Sequence, residues 1–167
     1  EGDLQHKDSM GNVATIKNGD VQIMSAGTGV THSEYNANEH KAVKFLQIWV
    51  IPNKKNVTPR YDQLTLDATD RQNKIQQIIS PNPDDAGMWM HQNAWFSLSD
   101  MDENVILDYT LHDANNGVYI FNLSGNVVAG GIDLETRDGL GVWNTDTIQL
   151  KATSKASLLI MEVPMNI

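Results

Sequence analysis

The sequence predicts an all-β protein built as two β modules in tandem. Short apolar runs alternate with turns rich in Gly, Asn and Asp along most of the chain. From residue 88 onward these runs recur at roughly the 8–12 residue spacing of β-sandwiches and barrels. A polar connection over residues 53–73 separates them from an earlier set, so the module boundary is placed there or shortly after.

The elements follow in order. VATIK (13–17) is a short strand between Gly-Asn and Asn-Gly-Asp turns, and VQIMSA (21–26) is a second. Gly27-Thr28-Gly29 then turns the chain into a return strand through His32, Glu34 and Tyr35. AVKFLQIWVIP (42–52) reads as the strongest strand: Val43, Phe45, Gln47, Trp49 and Ile51 share one face, and Leu46, Ile48 and Val50 the other. Apolar on both faces, it is expected to be central, with Pro52 ending it. Within the connection, Pro59-Arg60-Tyr61 is extended, and DATDRQN (67–73) gives one helical turn capped by Asp67 or Thr69. KIQQIIS (74–80) resumes strand and SPNPDDAG (80–87) is a loop. The second set runs 88–100, 104–112, 117–125, 126–134, 141–145, 148–153 and 156–164. No low-complexity segment, coiled coil or internal repeat interrupts this pattern.

Composition narrows the function classes. Apolar residues make up 40% of the 167, enough for a packed core, and the 20% charged residues do not describe a disordered chain. A net charge of -9 with only 12 Lys and Arg argues against direct nucleic-acid binding, which needs clustered cations. With no cysteine, any metal must be held by His and carboxylate, which suits iron, manganese, nickel, copper or catalytic zinc. No apolar run approaches the ~18 residues of a membrane span, and no signal peptide is evident. A cytoplasmic location is expected. The opening Glu1-Gly2-Asp3-Leu4, without an initiator Met, reads as the middle of a domain.

The chemistry-bearing motif is His32-Ser33-Glu34. On a strand, alternate residues share a face, so an imidazole and a carboxylate point the same way as two ligands for a divalent metal. Taken whole, GDVQIMSAGTGVTHSEY (19–35) resembles the pirin family, a branch of the cupin superfamily. The resemblance extends through EGDLQHKDSMGN (1–12), FLQIWVIPNKK (45–55), PRYDQ (59–63), SP (80–81), MHQNA (90–94) and LLIMEVP (158–164). It implies a bicupin. Residues 1–65 would be the later part of an N-terminal, metal-site barrel, and residues 66–167 a C-terminal barrel without metal.

The resemblance also implies a site. Family members bind one divalent metal through an H-x-H pair on one strand and the His and Glu of H-x-E on a later one; His32 and Glu34 match the second pair. No H-x-H occurs in this sequence, and the pair is expected to precede Glu1, leaving half a site and an incomplete first barrel. Iron is the first choice of metal, with Mn, Ni, Cu or Zn as alternatives, and the metal is expected to be absent if the site stays incomplete. The implied activity is flavonol dioxygenation of the quercetin 2,3-dioxygenase type, with a small aromatic substrate and Glu34 acting also as base. The alternatives are a metal- or redox-sensing regulatory protein without turnover, and an inactive fragment. A monomer is expected for the intact fold and a strand-swapped oligomer for a fragment with unpaired edges.

The remaining candidates carry milder readings. His6 is either a strand residue bonded to Asp8 or the turn, or a neighbour of the metal pocket. His40, in NANEHK, is solvated; His91 and His112 fall in the second module, with His91 ordering local backbone. Met24, Phe45 and Trp49 read as core with pocket lining as the alternative, Gln47 as solvent-facing or cavity-bonded, and Tyr35 as packing. Lys54, Lys55 and Arg60 form a solvated loop cluster.

Overall fold

A computed structural model describes residues 1–165 and contains strands joined by turns, with one single-turn 3-10 helix at Ala68–Asp70. The chain divides into two units: Glu1–Leu66 with Met90–Gln92, and Asp67–Trp89 with Asn93–Ile167. Among the described residues, no helix is long and apolar enough to cross a membrane.

The first unit holds strands β1 (Leu4–Asp8), β2 (Val13–Ile16), β3 (Asp20–Ser25), β4 (His32–Asn36) and β5 (Arg60–Thr65). They form an antiparallel sheet of order β2-β1-β4 and an antiparallel pair β3-β5. β1 is strictly alternating, with Leu4, His6 and Asp8 buried. An interior face made of one aliphatic, one imidazole and one carboxylate is unusual, because a buried polar group is costly unless it is partnered. That face positions the site.

The turn into β4 depends on Gly27, whose φ is +54°, and a Cβ there would strike the Val57 carbonyl that accepts the Thr28 amide. The glycine read from sequence as relieving the backbone is thus required by close approach as well as by φ.

The second unit is a two-layer β structure. Its strands are β6 (Gln76–Ser80), β7 (Met88–Trp89), β8 (Trp95–Met101), β9 (Ile106–Thr110), β10 (Asn116–Ser124), β11 (Val127–Ala129), β12 (Ile132–Leu134), β13 (Gly139–Trp143), β14 (Thr147–Ala152) and β15 (Ala156–Pro164). A six-stranded sheet of order β13-β10-β15-β8-β6-β7 accompanies a four-stranded sheet of order β12-β11-β14-β9. Alternating Ile148, Leu150 and Ala152 from β14 pack with Val118, Ile120, Leu158 and Ile160 into one aliphatic core.

The all-β expectation holds; the run 126–134, expected as one strand, turns at Gly130-Gly131 into β11 and β12, and three other segments differ. Residues 42–52, expected to be a central strand, lie outside every sheet; Phe45, Leu46, Ile48, Trp49 and Ile51 are exposed, Trp49 by 89%. Apolar composition marks a segment fit for burial, but a strand exists only where another strand accepts its ladder, and none among the described residues does. Residues 60–65, assigned to a connection, form β5, because they find β3 as a partner across Ser25↔Arg60 to Asp20↔Thr65. The run 88–100 is split into β7 and β8, and Met90–Gln92 groups with the first unit, where the Asn53 amide donates to the His91 carbonyl at 2.7 Å. The helical turn is capped as expected, with the Asp67 side chain accepting the Thr69 amide.

Candidate metal centre

The β1–β4 register places Asp8 opposite His32 and His6 opposite Glu34. Directly opposed residues of an antiparallel pair share a face, so all four side chains converge on the interior side of the first unit. The β3–β5 pair completes the surroundings with Gln22 and Tyr61.

His6 is the centre of this cluster and is fully buried. Its ring stacks on Tyr61 at 4.6 Å between centroids and on His32 at 5.7 Å, with interplanar angles of 23° and 25°. Nε2 lies 3.1 Å from Asp8 Oδ2, and since a carboxylate only accepts, Nε2 carries the donated proton. The other nitrogen, Nδ1, is buried without a hydrogen-bond partner and lies 3.5 Å from Glu34 Oε1. Glu34 Oε1 also accepts from Gln22 Nε2 at 2.9 Å, leaving the Gln22 carbonyl oxygen buried and unpartnered.

Asp8 is the best-anchored acid of the cluster. Burial alone would push its carboxyl upward. Hydrogen bonds from the Asn12 side chain, His6 and the amides of Asn12 and Met10 outweigh that and hold it down to about 2. Tyr61 moves the other way: burial first, then the charges of Asp8 and Glu34, push its phenol up to about 12, so it is neutral at all ordinary pH. Its hydroxyl donates to Gln63 Oε1 at 2.9 Å.

His32 and Glu34, the two residues expected as metal ligands, share one face of β4; His32 is solvent-accessible, whereas the Glu34 side chain is 12% exposed. Their donor chemistry, one imidazole nitrogen and one carboxylate oxygen, fits a divalent ion of the iron-to-zinc series. The orphaned His6 Nδ1 and Gln22 Oε1 atoms beside them show an interior whose polar groups are not all satisfied by protein. Among the described residues, no three His, Cys, Asp or Glu side chains form a metal-holding group.

Of the other candidates, His6 combines both readings: it bonds Asp8 and borders Glu34 and His32. His40 is exposed beside Glu39. Phe45 and Trp49 are exposed and so are not core, Gln47 is exposed to solvent, and Tyr35 is 51% exposed rather than packed. Lys54 and Lys55 are exposed, while Arg60 is half-buried on β5. Gln22 and Tyr61 were not legible as site residues. The available signal was the position of Gln22 two residues before Met24 on a strand facing the H-x-E segment.

A two-unit, all-β chain with a His-x-Glu pair on an interior sheet face defines a metal-binding protein of the cupin class. Residues 1–50 match the family model described as Pirin, and residues 77–163 match that described as Quercetinase C-terminal cupin domain. The quercetin 2,3-dioxygenase of Escherichia coli K12 is 36% identical over 170 aligned residues, which cover 98% of this chain and 69% of the relative. The crystal structure of YhhW from Escherichia coli superposes with a TM-score of 0.92 at 34% identity, covering 98% of this chain and 68% of that one. A structure of the same bacterial pirin in complex with nickel(II) superposes at 0.90 with 32% identity, over 98% and 69%. The chain belongs to the pirin family.

Proposed function

We propose that this chain is the H-x-E-bearing part of a metal-dependent flavonol dioxygenase of the quercetin 2,3-dioxygenase type, with His32 and Glu34 as metal ligands and Glu34 also as base. The observation that carries the reading is the placement of Glu34: a largely buried carboxylate two residues from an accessible imidazole on the same strand face. The quercetin dioxygenase and the nickel-bound pirin among its relatives supply the substrate class and the class of metal. Iron is the first choice here, with nickel, manganese, copper and zinc admitted by the same donors. The module organisation proposed with it is a metal-site module in the first 65 residues and a second module, 66–167, that holds no metal.

When bound, a divalent ion would polarise the oxygens of a flavonol and offer open positions to substrate and dioxygen. The protein's own residues do the rest. The Gln22 amide pins Glu34 Oε1, leaving Oε2 to accept the proton of a flavonol hydroxyl. His6, wedged against Tyr61 and held by Asp8, forms a fixed floor beneath His32 and Glu34 that keeps both from collapsing inward. Tyr61 remains a neutral phenol and adds no charge to that floor.

The test is aerobic incubation with quercetin in the presence of excess Fe(II), Mn(II), Ni(II) or Cu(II), followed by the flavonol absorbance. The expected result is metal-dependent loss of absorbance that His32→Ala and Glu34→Gln abolish. Absence of loss with every metal counts against the enzymatic assignment and favours a non-catalytic, metal-sensing role.

A further inference from the structure

The second unit buries a charged network of its own. Glu162, on β15, is fully buried inside an otherwise aliphatic layer. It accepts from Tyr109 Oη at 2.8 Å, His112 Nδ1 at 2.8 Å, the His112 amide at 2.9 Å, the Asp113 amide at 3.1 Å and Asn116 Nδ2 at 2.8 Å. Burial opposes ionisation of this carboxyl, but these donors outweigh it and hold the group below its ordinary range, so it stays ionised. A carboxylate with every lone pair occupied is a fixed support. What it supports is His112.

His112 is locked on three sides. Its Nδ1–H points at Glu162, its ring lies flat on Trp95 (4.5 Å between centroids, 3° between planes), and Tyr109 stands tilted against it at 6.3 Å. Nδ1 is committed to Glu162, which leaves Nε2 as the outward nitrogen, an acceptor in the neutral ring. The side chain is 37% exposed, so this acceptor is reachable.

His112 lines an open depression of about 270 Å³ at the edge of the second unit, with residues of the β6–β8 pair and of the outer strand β9. Gln77 and Ser97, a cross-strand pair, line one side; Asp108, Tyr109 and Thr110 line the other, and Ile75 closes the end. The lining contains no Lys or Arg, and with Asp108 at the wall and Glu162 behind His112 it disfavours anions. Its acceptors call for a ligand that donates hydrogen bonds, while Ile75 and Tyr109 offer apolar surface for a ring.

We infer that this depression is a ligand site separate from the first unit's metal centre, and that it takes a small neutral phenol whose hydroxyl donates to His112 Nε2. The volume suits a single ring rather than a fused multi-ring ligand. None of these residues belongs to the first unit, so the site stands independently of the dioxygenase reading.

The test uses the whole 167-residue chain in EDTA, so that His32 and Glu34 are silent. Resorcinol, a neutral diphenol, is titrated while the His112 imidazole and Ile75 methyl signals are followed by NMR; benzoate and inositol serve as the anionic and non-aromatic probes. Saturable shifts of both signals with resorcinol alone are expected. His112→Gln is expected to weaken the Ile75 response about tenfold, as loss of one buried hydrogen bond does. Asp108→Asn, an exposed and structurally mild change, is expected to let benzoate in. No saturable shift, an equal response to benzoate or inositol in the unmodified chain, or resorcinol affinity unchanged in His112→Gln overturns the inference.

Discussion

His6 Nδ1 and Glu34 Oε1 face each other at 3.5 Å across the β1–β4 pair, while Nε2 of the same ring is held 3.1 Å from Asp8. The ring is therefore committed to Asp8 on one side and turns its second nitrogen toward the Glu34 carboxylate on the other. Glu34 Oε1 faces His6 and accepts the Gln22 amide on the same oxygen, so the orientation of this carboxylate is set by the residues around it.

Metal binding should therefore depend on residues that do not themselves coordinate. Glu34→Gln and His32→Ala remove ligands and should abolish saturable Ni(II) binding in calorimetric titration. Gln22→Leu leaves both ligands but frees Glu34 Oε1 from its 2.9 Å bond, and should weaken binding by roughly 10- to 100-fold, the usual cost of losing a partner that orients a ligand. Affinity unchanged in Gln22→Leu would mean that Glu34 does not coordinate in the orientation described.

The acid side of the stability profile should report Asp8. Its carboxyl is held near 2 against an ordinary value of 3.8, so the folded state binds the proton less readily than the unfolded state. The unfolded chain then carries more protons between those two values, and stability rises with pH there. Stability is thus fully present above about pH 4 and is lost progressively as pH falls toward 2. Asp8→Asn should flatten this part of the melting-temperature profile. Glu162, depressed for similar reasons, keeps part of the slope in that variant.

Much of this was legible in the sequence, and the failures share a cause. β2, β3, β4, β6 and most strands of the second unit follow from alternating runs between turn residues, because their partners lie within the described chain. His32 and Glu34 were readable because a two-residue spacing on a strand dictates a shared face. Both sequence readings of His6 meet in the structure, but Gln22 and Tyr61 were not legible, since their role comes from cross-strand register and ring stacking between segments far apart in sequence. Glu162 was hidden in an apolar run that reads as core, and its five donors all come from one distant stretch, residues 109–116.

Gly27 is the backbone position most exposed to substitution. Gly27→Ala would place a Cβ against the Val57 carbonyl at a φ of +54° and break the Thr28–Val57 hydrogen bond that closes the turn. Strain of this kind costs about 1–3 kcal/mol. The melting temperature should fall, and metal affinity with it, because β4 begins five residues downstream at His32. Gly19→Ala is the comparison: φ there is +91° but no atom lies within 4 Å of the new Cβ, so only the conformational cost applies.

The exposed 42–52 segment should govern the assembly state. Phe45, Leu46, Ile48, Trp49 and Ile51 are 42–89% exposed and close in sequence. They belong to the same unit as a sheet whose outer strands β2 and β4 each have one edge unpaired among the described residues. Contiguous apolar surface together with open strand edges is the combination that drives one chain onto another. The 167-residue chain should therefore self-associate in a concentration-dependent way, read by light scattering during size exclusion. Trp49→Asp and Ile51→Asp together should shift it toward monomer without lowering the melting temperature, since neither side chain supports a packed core. A monomer at all concentrations, or an oligomer indifferent to both charges, would show that this apolar segment does not mediate association.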